Sequence, residues 1–169
     1  MKEAILLVGH GGSPTDFPKD KLARLKRLES ERMSRGGGEM SAEEAELDAS
    51  VRAWPRTQKT DPYKWGLEAL RRSLQARMPD ERVALAYNEF CGPSIEEAVE
   101  ALVSEGVSSV RVITTMFTRG GIHSECEIPH LVGQLRKKHP AVRFDYAWPF
   151  DEALAADFLA RQLETVSAR

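Results

Sequence analysis

A short apolar run closed by glycines, EAILLVGH at 3–10, constrains the fold more than any other feature of this chain. A strand apolar at consecutive positions needs cover on both faces, which is the condition of a strand inside a parallel sheet. Two further runs, RVALAYNEF at 82–90 and SSVRVITTMF at 108–117, repeat the pattern with β-branched and aromatic residues. A fourth, VRFDYAW at 142–148, alternates more and reads as an edge strand. Helical stretches separate these runs. The segment 61–78 opens on Asp61 as N-cap with Pro62 at the first helical position, and 92–106 starts on Pro93 or Ser94 and ends at Gly106. Segments 129–140 and 151–166 complete the set. Strands joined by helices of this length imply right-handed crossovers, so the expectation is an α/β fold: an open, mostly parallel twisted sheet of about four strands with helices on both faces.

Residues 17–60 do not fit this plan, because connections in such units run only about 2–6 residues. The segment reads as a helical insertion after the first strand, within one domain spanning 1–169. Its first half is basic with Leu22, Leu25 and Leu28 at helical spacing, its second half is acidic, and three glycines at 36–38 part them. A helical hairpin packed on the body and a lid or dimer arm near the active edge are both compatible with that pattern.

Composition removes several classes of function. A formal net charge of −2 is unlike a nucleic-acid binder, which needs clustered positive charge. No apolar run approaches the roughly 20 residues of a spanning helix, and the opening MKEAILLVGHGG lacks a secretory pattern, so the expectation is a cytoplasmic protein without membrane partners. Cys91 and Cys126 stand far apart with no CxxC pairing, which indicates neither a disulfide framework nor a structural zinc site.

In open parallel sheets, ligands bind beyond the carboxyl ends of the strands. Three such ends carry His10 in GHGGS, Glu89 in YNEFCGPS and the loop TMFTRGGIHSECEIP, which contains His123. Each has a plainer reading beside the functional one. His10 between glycines could belong to an anion-binding loop, although GHGGS lacks the lysine of a Walker loop and a full GxGxxG pattern. Glu89 could cap or pair with the next helix. His123, Glu127 and His130 would share a helical face, but Pro129 starts the helix near 126–129, leaving His123 in the glycine-rich loop and Glu127 as a helix cap. His130 reads as a surface residue and His139 as a charge partner at a helix end.

The stretches LLVGHGG, EFCGPSIEEAVEALVSEGVSSVRVI and TMFTRGGIHSECEIPHL, in this order, resemble the class II chelatases, specifically the small sirohydrochlorin cobaltochelatase and ferrochelatase group. The closing YAWPFDEALAADFLARQL is similar to that group's end. The chain departs from the group's pattern where Ser13 falls one place later than in His-Gly-Ser, where Glu127 replaces the aspartate of Asp-Ile-Pro, and in the insertion. The resemblance implies a chelatase-like, flavodoxin-like three-layer sandwich whose two halves, fused or supplied by a homodimer, enclose a cleft. There a divalent metal, Co²⁺, Fe²⁺ or Ni²⁺, enters a sirohydrochlorin-type tetrapyrrole of cobalamin or siroheme biosynthesis. It implies metal ligation and catalysis at His10, His123 and Glu89. The metal is a substrate, and no prosthetic group is expected.

That chemistry suits these side chains. Imidazole binds first-row divalent metals and, with a pKa near ~6.5, also accepts protons. Met116, Phe117 and Ile122 would offer apolar surface to a flat ring, and Arg119 a partner for its carboxylates. A metal- or tetrapyrrole-binding protein without turnover, and a phosphate-handling α/β enzyme, are the competing classes.

Overall fold

The computed structural model describes residues 2–167. Its four strands are β1 (Glu3–Gly9), β2 (Arg82–Tyr87), β3 (Ser109–Thr114) and β4 (Arg143–Tyr146), all parallel in the order β2-β1-β3-β4. Six α-helices accompany them: α1 (Lys19–Ser34), α2 (Ala42–Ala53), α3 (Pro62–Arg77), α4 (Ile95–Ser104), α5 (Ile128–Lys138) and α6 (Glu152–Ser167). The open parallel α/β sheet expected from the sequence is the one observed.

Strand β1 explains why its sequence is apolar throughout. Ala4, Leu6 and Val8 face a core shared with Ile95, Val99 and Leu102 of α4 and with Ile128, Val132 and Leu135 of α5. The alternate residues Ile5 and Leu7 face a second core with Leu67 of α3. A side-chain period of two therefore sends neighbouring residues into opposite apolar layers.

Helix starts follow local chemistry. The Asp61 carboxylate accepts from Lys64 N ahead of Pro62, and Ser94 forms a reciprocal capping box with Glu97. Strand ends depart from expectation. Strand β2 ends at Tyr87, short of the expected 90, and Phe90 adopts a φ of 55° that a strand cannot hold. Trp148 lies beyond β4, which ends at Tyr146. Helix α6 forms where expected but leaves Leu154, Phe158, Leu159 and Val166 exposed.

Residues 17–60 contain α1 and α2, whose apolar side chains Leu25 and Val51 gather with Phe17 around Phe90 in a third cluster. Among the described residues, no helix is long and apolar enough to cross a membrane.

Candidate functional site

Parallel pairing brings the carboxyl ends of β2, β1 and β3 side by side, and the backbone continues the match past the strands. Asn88 N donates to Gly9 O at 2.9 Å and Glu89 N to His10 O at 2.8 Å, so the two loops run together. The Tyr63 hydroxyl of α3 accepts from His10 N at 2.8 Å and fixes the turn from behind. Gly11 sits at φ +97° so close to the Glu89 carbonyl that a Cβ there would lie 1.8 Å from its oxygen. The loops carrying His10 and Glu89 thus touch through a residue without a side chain.

His10 Nε2 lies 3.7 Å from Glu89 Oε2, and His123 Nε2 lies 3.6 Å from Glu89 Oε1. The two imidazoles meet edge to face with centroids 4.8 Å apart. One ligand atom from each of the three residues falls within 4.8 Å of the others. These separations are long for hydrogen bonds and suitable for a shared cation, because metal–ligand bonds of about 2.0–2.2 Å hold neighbouring donor atoms about 3–4 Å apart.

The tautomers agree with that geometry. His10 Nδ1 faces Gly11 O at 2.8 Å, and a carbonyl can only accept, so Nδ1 carries the proton and Nε2 turns its lone pair to the cluster. His123 Nδ1–H donates to Glu127 Oε2 at 2.7 Å, and Asn88 Nδ2 donates to the same oxygen at 2.9 Å. Burial alone would raise the Glu127 carboxyl, but the bonds from His123 and Asn88 outweigh it and hold the group below its ordinary value. An ionised Glu127 therefore keeps His123 Nε2 as an acceptor aimed at the shared position. A carboxylate behind a ligating imidazole is the usual way such rings are oriented.

This arrangement corrects the sequence reading of the segment 123–127. His123 is not in a loop: His123–Glu127 form a π-helical turn running directly into α5, with Ile128 N bonded to His123 O. Glu127 stands at the N-cap position of α5, but its side chain makes no cap bond and instead holds His123 on the same face. A single π turn of this kind is often found at functional positions, and here Ser124 secures it by donating to Met116 O at 2.7 Å while its own carbonyl accepts from Tyr146 Oη at 3.0 Å. Asn88 and Tyr63 support the site without having been picked out from sequence, and Glu127, read there as a helix cap, supports it through His123. The His123-to-Glu127 spacing of four was visible, but its meaning depended on a turn of which Pro129 carries no trace.

The surrounding residues differ in what they offer. Ile122 is exposed, Phe117 is half-buried against Phe150 with ring centroids 6.1 Å apart, and Trp148 stands edge-on to Phe150 at 5.9 Å. Met116 is half-buried and packs on the main core. Arg119 is exposed, with Nε 3.8 Å from Glu152 Oε1. His130 lies on the surface near Gln134, and His139 pairs with Glu100 at 3.0 Å. Cys91 is buried, and that burial pushes its thiol up, which disfavours a thiolate ligand. The glycines after β1 do not open a helix, since α1 begins at Lys19. A cavity of about 280 Å³ beside the site is lined by Glu29, Arg32 and Glu44 of the α1–α2 pair and by Asn88, Glu89 and Glu127.

A model of the CbiX family matches residues 59–165, which include Glu89 and His123. Two curated proteins named sirohydrochlorin cobaltochelatase also align. That of Methanothermobacter thermautotrophicus is 35% identical over 54 residues, covering 32% of this chain and 37% of that protein. That of Methanopyrus kandleri is 32% identical over 53 residues, covering 31% and 36%. The chain thus matches little more than a third of these relatives' length. Among solved structures, the CbiX protein of Marinobacter aquaeolei VT8 superposes with a TM-score of 0.56 at 17% identity, covering all of both chains. SirB from Bacillus subtilis with Fe³⁺ gives 0.50 at 20% identity, covering 86% of this chain and 39% of that one. Both likenesses concern the fold.

Proposed function

Since the chain belongs to the CbiX family, we propose that it is a lyase-class metal chelatase that inserts a divalent ion, Co²⁺, Fe²⁺ or Ni²⁺, into a sirohydrochlorin-type tetrapyrrole. The observation that carries this reading is the cluster itself: two imidazole lone pairs and a carboxylate converge from three strand ends on one position. Three protein ligands leave coordination positions open for water and then for pyrrole nitrogens. His10, His123 and Glu89 hold the hydrated ion. As it passes to the ring, the two pyrrole N–H bonds break, and both protons go to groups in the cluster, a histidine or Glu89, so that a dication replaces two protons. A mixed nitrogen and oxygen set favours transfer over trapping, because it binds first-row ions less tightly than thiolates would.

Ile122, Phe117 and Met116 give the ring an apolar edge beside the ion, and Arg119 on the same loop meets a peripheral carboxylate. The curated relatives' name supports cobalt as the metal; the route is then cobalamin biosynthesis, and siroheme biosynthesis if the metal is iron. The protein works as a homodimer in the cytoplasm. The exposed Leu154, Phe158 and Val166 of α6 support the dimer, since apolar side chains of this size gain by burial against a second copy, and the free Cys91 and Cys126 fit a reducing compartment.

Incubation with sirohydrochlorin and each metal in turn, followed by absorbance, tests the reading. Insertion faster than the uncatalysed reaction is expected for the native chain and none for His10→Ala or His123→Ala. Full activity in both variants would remove the proposed roles. Binding of ring and metal without turnover would make the protein a carrier, and light scattering of a fully active monomer would refute the dimer.

A further inference from the structure

We propose that Arg52 and Arg56, from the helical segment between β1 and α3, are positioning residues that hold the Glu89 loop as a preformed metal ligand. The proposal rests on the metal-transfer reading of the same site. Glu89 projects from a four-residue turn, 88–91, in which Phe90 occupies the left-handed region that bulky side chains avoid. Such a conformation persists only where neighbours overdetermine it.

The neighbours are two guanidinium groups. Arg52 Nη2 donates to Asn88 O at 3.1 Å and its Nη1 to Cys91 O at 2.9 Å, which brackets Glu89 on both sides. Its Nε is held by Asp48 at 2.7 Å, one turn earlier on α2. Arg56 donates to Phe90 O, to Gly12 O at 2.7 Å and to Val51 O at 2.9 Å, and is ion-paired with Asp61. One buried group therefore ties the loop after Glu89 to the loop after His10. The remaining carbonyl of the turn, that of Glu89, accepts from Cys91 N at 2.6 Å. Every carbonyl from 88 to 91 is committed, and the Phe90 ring is gripped by Phe17, Leu25 and Val51.

A lid would be held weakly and would part from the body. The Arg56–Asp61 pair, with side chains 4% and 2% exposed, belongs instead to a permanent joint. The function of this segment at the site is to fix the direction of a carboxylate before the metal arrives, which lowers the ordering cost of binding.

The full-length chain bearing Arg52→Met tests this, since methionine keeps the apolar stem and removes the fork. Arg52→Lys serves as the conservative variant, and stands in should the methionine variant fail to fold. Titration with Co²⁺ alone, followed by its visible absorption, should show affinity falling about 10–100-fold in Arg52→Met, the range typical of lost support behind a ligand, with partial recovery in Arg52→Lys. Amide exchange of the metal-free protein should quicken at Glu89 and Cys91, whose N–H groups are bonded within the site loops, while α5 is unchanged. Native affinity in the folded variants overturns the proposal, whether or not exchange changes. Should the native chain bind no Co²⁺, the metal reading falls and takes the ligand-positioning role with it, whereas native affinity in folded Arg52→Met overturns the positioning role alone.

Discussion

Replacing Gly11 by alanine is expected to break the His10–Glu89–His123 cluster without altering any of its three side chains. The added Cβ would lie 1.8 Å from the Glu89 carbonyl oxygen, whereas ordinary contact begins at 3.4 Å, so the two loops must part by about 1.6 Å. Parting strains the 2.8 Å bond from Glu89 N to His10 O, which draws these ligands together. The φ of +97° adds a left-handed cost of ~1–2 kcal/mol for a residue with a side chain. Loss of one backbone bond contributes ~0.5–1.5 kcal/mol. The lower entropy of the unfolded alanine chain offsets ~0.4–1 kcal/mol. The net destabilisation is about 0.5–3 kcal/mol, measurable by urea denaturation and corresponding to roughly 1–12 °C in Tm for a chain of this size. The functional effect should be larger, because a 1 Å misplacement can cost ~10²-fold in rate. Gly66 in α3 provides the control: it is exposed with nothing within 4 Å of a Cβ, so Gly66→Ala should gain ~0.5–1 kcal/mol and leave Co²⁺ binding alone. A Gly11→Ala protein with native stability and native Co²⁺ affinity would refute the argument that these two loops are in register only because no side chain separates them.

Glu127→Gln should weaken Co²⁺ binding about 10-fold, because His123 loses its ionic acceptor; unchanged affinity by titration would deny Glu127 that role. The pH sign follows from its lowered carboxyl: the stabilising contribution is present above the unfolded value and lost as pH falls through the folded one, so native and Glu127→Gln stabilities should converge in acid. Glu29 is the opposite case, raised by burial and then by the charges of Glu89, Glu127 and Glu44. Its folded value exceeds the unfolded one, so the penalty is absent in acid and develops as pH rises; Glu29→Gln should stabilise at neutral pH in urea titrations and lose that advantage below about pH 4. Tyr87 is 1% exposed and its hydroxyl lacks a hydrogen-bond partner among the described residues, so Tyr87→Phe should raise stability by about 1 kcal/mol in denaturation, and a loss would show the hydroxyl to be satisfied.

Much of this molecule is legible one segment at a time. The apolar runs at 3–10, 82–90 and 108–117, the Asp61 and Ser94 caps and the glycine breaks are local signals, and local signals suffice for a parallel α/β sheet because burial on both faces leaves its mark residue by residue. The same topology was enough to bring the segments carrying His10, Glu89 and His123 to one edge. What only the tertiary structure decided has no local trace. Arg52 reaches Asn88 across 36 positions, and Glu127 meets Asn88 across 39, so neither contact disturbs any periodicity. Pro129 marks the start of α5 at Ile128 as expected, but it carries no trace of the π turn at 123–127 before it, which bonds from a neighbouring strand and loop, and not intrinsic propensity, hold. Sequence supplied the residue types and the edge they share; distance, tautomer and the contacts of Arg52 and Arg56 with the Glu89 turn arise from packing between parts of the chain that are remote until it folds.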